Sequence, residues 1–294
     1  MCIRDRNPAG LGRISKTEVL VGHARYLEGT GIKMNAFGIS QKVGKSGAFG
    51  LSVMSLAIGE IPITTTNQPE GTGATFSPNF FNLGLSYANT FENKISVGIT
   101  MRIISEAIAD LSAFGIGIDA GVQYVTGPQD NFKFGISLRN VGSRMSFGGQ
   151  GLSFPTENPD GVLSYDITVN QRSAEFELPS MLNIGMSYDF NITEKNRITI
   201  LGNFTSNSFS RDQLGGGIEY SLNDMFMLRA AYKVEVGLSA ERQAEQSVYS
   251  GLAAGVSLEV PLNKESANRF GIDYAYRATQ PFSGTHNFSV RIAL

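Results

Sequence analysis

The sequence predicts an all-β fold, a transmembrane antiparallel β-barrel of about fourteen strands. Three observations predict it. Apolar and polar residues alternate with a period of two along most of the chain, so each segment has one apolar and one polar face. Tight turns rich in Asn, Asp, Gly and Lys alternate with connections that are mostly longer. The chain is glycine-rich and lightly charged, with 34 Gly and 17% charged residues against about 25% in ordinary soluble domains. No run approaches the roughly 18–20 apolar residues of a spanning helix, so any membrane crossing falls to strands.

Fourteen strand-like segments follow one another, at residues 18–27, 33–42, 47–59, 80–91, 94–105, 113–126, 132–140, 180–190, 197–205, 212–222, 225–234, 248–260, 268–277 and 285–294. In the first two the alternation is weakest, and Val19 and Val21 barely define a face. The middle ones are clear: Ile95, Val97, Ile99, Met101 and Ile103 oppose Lys94, Ser96, Gly98, Thr100 and Arg102. Phe114, Ile116, Ile118, Ala120, Val122 and Tyr124 oppose Gly115, Gly117, Asp119, Gly121 and Gln123, and Leu182, Ile184, Met186, Tyr188 and Phe190 oppose Asn183, Gly185, Ser187 and Asp189. The chain ends on a hairpin whose apolar face is Phe270, Ile272, Tyr274, Phe288, Val290 and Ile292.

Several segments reach ten residues or more, beyond the five or six typical of a sandwich strand and near the roughly nine to eleven of a tilted membrane strand. A soluble β-sandwich, the alternative, would bury the same apolar face. The connections favour the barrel. Gly44 to Ser46, Glu92-Asn93, Gly127 to Asn131, Asn191 to Asn196, Asn223-Asp224 and Leu262 to Ser266 are short, whereas residues 59–79, 141–179 and 235–247 are long. Short periplasmic turns and long extracellular loops are the asymmetry of outer-membrane barrels. An even strand count puts both termini at the short-turn end and every long loop outside. The apolar face is thereby assigned to outer-membrane lipid and the other face to a lumen.

That second face carries many glycines, which points to space reserved for coiling, a plug or a ligand. It also carries Arg102, Asp119, Arg139, Glu219, Arg229, Asp273 and Arg291, with Lys233 and Glu259. Charges of both signs imply cross-strand pairs bracing the wall, with guidance of a substrate as the alternative. In the longest loop Phe147, Leu152, Phe154 and Tyr165 are candidate partner-binding residues, and residues 165–170 alternate as if to form an extra hairpin.

Other chemistry is excluded by what the chain lacks. A net charge of −2 leaves no basic footprint for nucleic acid. One Cys and two separated His supply neither a disulfide nor a metal-ligand set, so no cofactor is expected. Ser289 lies near His286, yet no nucleophile elbow accompanies them. The run Leu214 to Glu219 is glycine-rich but precedes no helix, so it is not a phosphate loop. The expectation is a protein that is not an enzyme. Residues 1–6 lack the apolar core of a secretory signal and read as a non-native leader. Residues 7–17 read as the remnant of an N-terminal segment entering the barrel, and 18–294 as the barrel itself.

Asn7-Pro8-Ala9-Gly10-Leu11 resembles the segment leading into the barrel of FadL-type outer-membrane proteins, the long-chain fatty-acid transporter superfamily. Residues 214–220, 226–232, 249–255, 270–276 and 281–294 are similar to the PorV/PorQ family of Bacteroidota. The resemblance implies a fourteen-stranded, FadL-like barrel with an N-terminal hatch folded into the lumen. For the PorV/PorQ branch it implies a part in type IX secretion, in which exported proteins are bound by their C-terminal signal domains and passed to other secretion-system proteins. Two departures stand against the family pattern: the hatch sequence expected before Asn7 is missing, as in an N-terminally truncated chain, and Leu294 ends the chain where an aromatic is usual. The expected function is therefore a non-enzymatic barrel of type IX secretion. The alternative is a FadL-like transporter of small hydrophobic molecules across the outer membrane.

Overall fold

A computed structural model of the chain describes residues 7–158, 165–238, 247–262, 268–280 and 282–294. The leader read at 1–6, part of the loops at 141–179 and 235–247, the turn after Leu262 and Pro281 lie outside the described residues. Fourteen strands form the wall: β1 Thr17–Arg25, β2 Lys33–Val43, β3 Gly47–Ala57, β4 Asn79–Phe91, β5 Ile95–Ile108, β6 Leu111–Thr126 and β7 Phe132–Gly142. They continue as β8 Met181–Thr193, β9 Asn196–Asn207, β10 Gln213–Leu222, β11 Phe226–Glu235, β12 Tyr249–Pro261, β13 Arg269–Thr279 and β14 Thr285–Ala293. Each pairs antiparallel with its neighbours in the chain, and β1 closes on β14 from Glu18↔Ala293 to Arg25↔His286. Closure leaves no edge strand, which is what lets a sheet sit in lipid. The weakest segments of the sequence thus form ordinary ladder strands, since pairing on both sides supplies what their alternation lacks.

The apolar face points outward along the whole wall. Val97, Ile99, Phe114, Ile116, Met186, Ile200, Ile218, Leu228, Ile272 and Phe288 are all exposed, an arrangement that water would penalise and lipid rewards. Near the short turns the outward positions become aromatic: Phe49, Tyr87, Phe91, Tyr124, Tyr188, Phe190, Tyr220 and Phe226. This is the interfacial girdle of a membrane barrel. Phe49 and Tyr87 meet at 4.8 Å between ring centroids, and Tyr188 and Phe190 at 4.6 Å.

Two short connections have the mirror-image backbone that strand twist favours. Glu92 and Asn93 lie at φ 48 and 57, closed by Lys94 N–H to Phe91 O, and Asn223 and Asp224 at φ 55 and 51, closed by Met225 N–H to Leu222 O. The structure shortens the connection left between β5 and β6 in the sequence. The ladder continues to Ile108↔Leu111, and Ala109-Asp110 alone make the turn. At the same end the long loop folds on itself. Ser153–Glu157 pairs with Asp166–Asn170, and Gly148–Gly149 adds two residues alongside the top of β6. Loop 59–79 carries its own small ladder, Ile61–Pro62 with Thr75–Phe76.

Candidate functional site: the lumen

The segment before β1 lies inside the barrel. Pro8–Arg13 is a short 3-10 helix capped by Asn7, whose side-chain oxygen accepts from Ala9 N–H at 2.9 Å. The same carboxamide donates to Val122 O on β6 and Ile136 O on β7, at 2.8 and 3.0 Å, so Asn7 straddles two strands. At the other end Arg13 donates to the carbonyls of Asn93 and Lys94, at 3.2 and 2.9 Å, pinning the helix to a short turn. Burial lowers the proton affinity of Arg13, and Asp130 partly offsets this. Glycines make the seat. A Cβ on Gly98 would overlap the backbone of Pro8 and Ala9, and one on Gly121 would overlap the Asn7 carboxamide.

Contact with this helix fixes which parity faces inward, and cross-strand register carries it round the wall. Asp119 is fully buried and accepts from Arg102 Nε at 2.6 Å, from Arg139 Nε at 3.4 Å and from the Asn140 backbone N–H at 2.8 Å. Asn140 sits at φ +57 beside the bulge in the β6–β7 ladder, where pairing shifts between Ile118 and Ala120. A cavity of about 250 Å³ separates this cluster from the internal helix and from Glu18 and Ser40 across the lumen. A second cluster braces the opposite wall: Glu219 pairs with Arg229 at 2.5 Å and Arg197 at 3.6 Å, while Arg229 donates to Ser257, which in turn donates to Asp273. Arg291 pairs with Glu259 at 2.8 Å, and Lys133 with Asp189 at 2.6 Å. The seven charged residues singled out in the sequence thus fall into three groups, each with a partner of opposite sign.

From the long-loop end a second insertion enters the lumen. Met145 and Phe176 bridge as a short ladder, and Met145, Leu178 and the wall residue Ala113 form a buried apolar cluster with Ile104, Phe147 and Phe176 around it. Gly115 and Gly117 make room for it. Phe147 stacks on Phe176 at 5.5 Å inside this wedge, whereas Phe154 and Tyr165 stay exposed on the outer hairpin, with Leu152 half-buried beside it. The four loop candidates therefore do not make one surface. The two histidines make no nucleophile pair. His286 meets Tyr274 and Glu28, while Ser289 turns to the other face and donates to Asp273.

Sequence reasoning missed an apolar strip on the inner wall. Register sets Met34, Leu56 and Phe80 in one inward row, and Ala36, Met54, Asn82 and Ile104 in the next, with Leu20 below. Leu20 and Met54 point inward yet are 37% and 36% exposed, so open space lies over them. Beside them a Cβ on Gly38 would meet nothing nearer than 3.9 Å. The signal was present. In β2 and β3 both parities turn apolar toward the long-loop end, Met34 and Ala36 against Phe37, Met54 and Leu56 against Val53.

A closed fourteen-stranded barrel, an outward apolar band and a lumen entered from both ends define the class, an outer-membrane β-barrel. Solved structures of similar fold include the Ralstonia pickettii toluene transporter TbuX, with TM-score 0.58 and 13% identity over 98% of this chain and 92% of that one. The deltaS2S3 mutant of the TodX monoaromatic hydrocarbon channel gives 0.55 and 11%, and a Pseudomonas aeruginosa FadL homologue 0.54 and 12%, each over 98% of this chain and 92% of theirs. At these identities the likeness is one of fold. No protein-family profile and no curated relative matches the chain.

Proposed function

We propose that the barrel conducts small hydrophobic molecules across the outer membrane, through the apolar strip of the lumen. The strip carries this reading: it is an inward apolar surface facing open space, in a wall whose inner face is elsewhere mostly glycine, small polar residues and paired charges. The structurally similar TbuX and TodX are a toluene transporter and a monoaromatic hydrocarbon channel, which agrees with it. The β6–β7 ladder carries a bulge beside Asp119 with pairing on both sides of it, and we propose lateral exit of the cargo at this weakened point of the wall. Labelled ethylbenzene taken up by proteoliposomes tests the reading. Met54→Lys is expected to lower uptake by about tenfold or more, because about 1.4 kcal/mol suffices for that factor and an ammonium set against an apolar ligand costs more. Uptake equal to that of empty liposomes would reject it.

A second reading, a cargo-binding part in type IX secretion, is supported by the PorV/PorQ-like motifs of residues 212–294 and by the outer hairpin with exposed Phe154 and Tyr165. Excising residues 153–170 spares Met145 and Phe176 and so leaves the lumen wedge in place. This reading expects the excision to abolish capture of a protein bearing a C-terminal signal domain, with ethylbenzene uptake unchanged. Retained capture would dismiss that role for the hairpin.

A further inference from the structure

Glu106 stands apart from the other carboxylates of the lumen. Asp119, Asp189, Glu219, Glu259 and Asp273 each face an arginine or lysine. Among the described residues Glu106 has neither a cation nor a hydrogen-bond donor. Register places it inward near the top of β5, directly opposite Phe80 on one side and Ala113 on the other, one row above Ile104. It therefore belongs to the apolar strip and borders the loop wedge, unfavourable surroundings for an uncompensated negative charge. In the sequence the alternation of this segment ends at residue 105, so Glu106 falls in a connection there and only the ladder shows its place on the inner face.

We propose that Glu106 and Phe80 form a recognition point for a cationic head group, so that the cargo selected by the barrel is a small hydrophobic amine. The inference rests on the strip being a path for hydrophobic molecules. An ammonium at this point meets the missing countercharge, and Phe80, paired directly opposite, places an aromatic ring within reach of the same cation. The apolar body of the ligand then lies along Leu56 and Met54 toward the open space at Gly38. A neutral hydrocarbon fills the strip and leaves Glu106 uncompensated, and an anion is repelled by it. Charge, more than shape, sets the preference.

Equilibrium dialysis of the full chain in nanodiscs, with empty nanodiscs subtracted, tests this using phenethylamine, ethylbenzene and hydrocinnamate at neutral pH. Phenethylamine is expected to bind about tenfold tighter than ethylbenzene, the scale of one charge-assisted hydrogen bond, and hydrocinnamate weaker than both. Glu106→Gln, which keeps size and shape, is expected to abolish the preference for the amine over ethylbenzene by weakening amine binding about tenfold. Ethylbenzene binding without an amine preference, or an amine preference that survives Glu106→Gln, overturns the proposal while leaving the hydrophobic path standing. Failure of all three probes to bind overturns both. Amine binding that depends on Glu106 without any ethylbenzene binding keeps the recognition point and removes the hydrocarbon path.

Discussion

Gly98→Val is expected to expel the internal helix and raise the conductance of the barrel in planar bilayers severalfold. A side chain at 98 collides with the backbone of Pro8 and Ala9, which cannot rotate away as a flexible side chain can. Valine is itself a favourable strand residue, so the wall stays intact. The Asn7 bridge to Val122 and Ile136 is lost with the helix, because both contacts depend on the same close approach. Gly202→Val is the control: this position faces lipid and has nothing within 4 Å. Unchanged conductance in Gly98→Val, with residues 7–13 still protected from protease, would show that the helix is not seated as described.

Asp119→Asn is expected to be the most destabilising single change in the lumen. The carboxylate is buried and holds Arg102, Arg139 and the Asn140 N–H at the ladder bulge. Its loss leaves two guanidinium groups facing one another without a counterion, and breaking a buried pair in this way costs about 3–5 kcal/mol. The midpoint of urea unfolding, read from the heat-modifiable gel band, should fall accordingly. Arg139→Gln should cost less, because Arg139 sits farther from the carboxylate at 3.4 Å and is more exposed than Arg102. Combining it with Asp119→Asn should recover part of the loss, since it removes one of the stranded charges. Equal effects of the two single changes would argue that Asp119 does not organise the cluster.

The wall was legible in the sequence because a membrane strand writes its two faces directly as alternation. Ile95 to Ile103 and Phe114 to Tyr124 fix their own register, and Asn223-Asp224 marks its turn with the residues that tolerate positive φ. The lumen was legible as charges but not as groups. Asp119 and Arg102 pair across β5 and β6, and nothing local says that Arg139 joins them through a bulge at Asn140. The insertion of Met145 and Leu178 also escaped, since loop residues carry no periodicity to show where they turn. The inner apolar strip was hidden by the alternation itself. Where Met34, Met54 and Leu56 make the polar face apolar, the pattern reads as a weak strand. It is a second apolar surface with its own partner to find.

The chain contains no tryptophan, so a single introduced one probes that surface without background. A single reporter is placed by Leu56→Trp on the strip, and by Ser257→Trp on the charged wall opposite. Bromobenzene, a quencher and a small hydrophobic molecule, is titrated into each variant in nanodiscs with ethylbenzene as competitor. Saturable quenching of the reporter at 56 that ethylbenzene reverses, with none at 257, is the result expected of a hydrophobic path along β1–β5. Quenching that rises linearly and equally at both positions would mean that the molecules merely partition into lipid, and that the strip binds nothing.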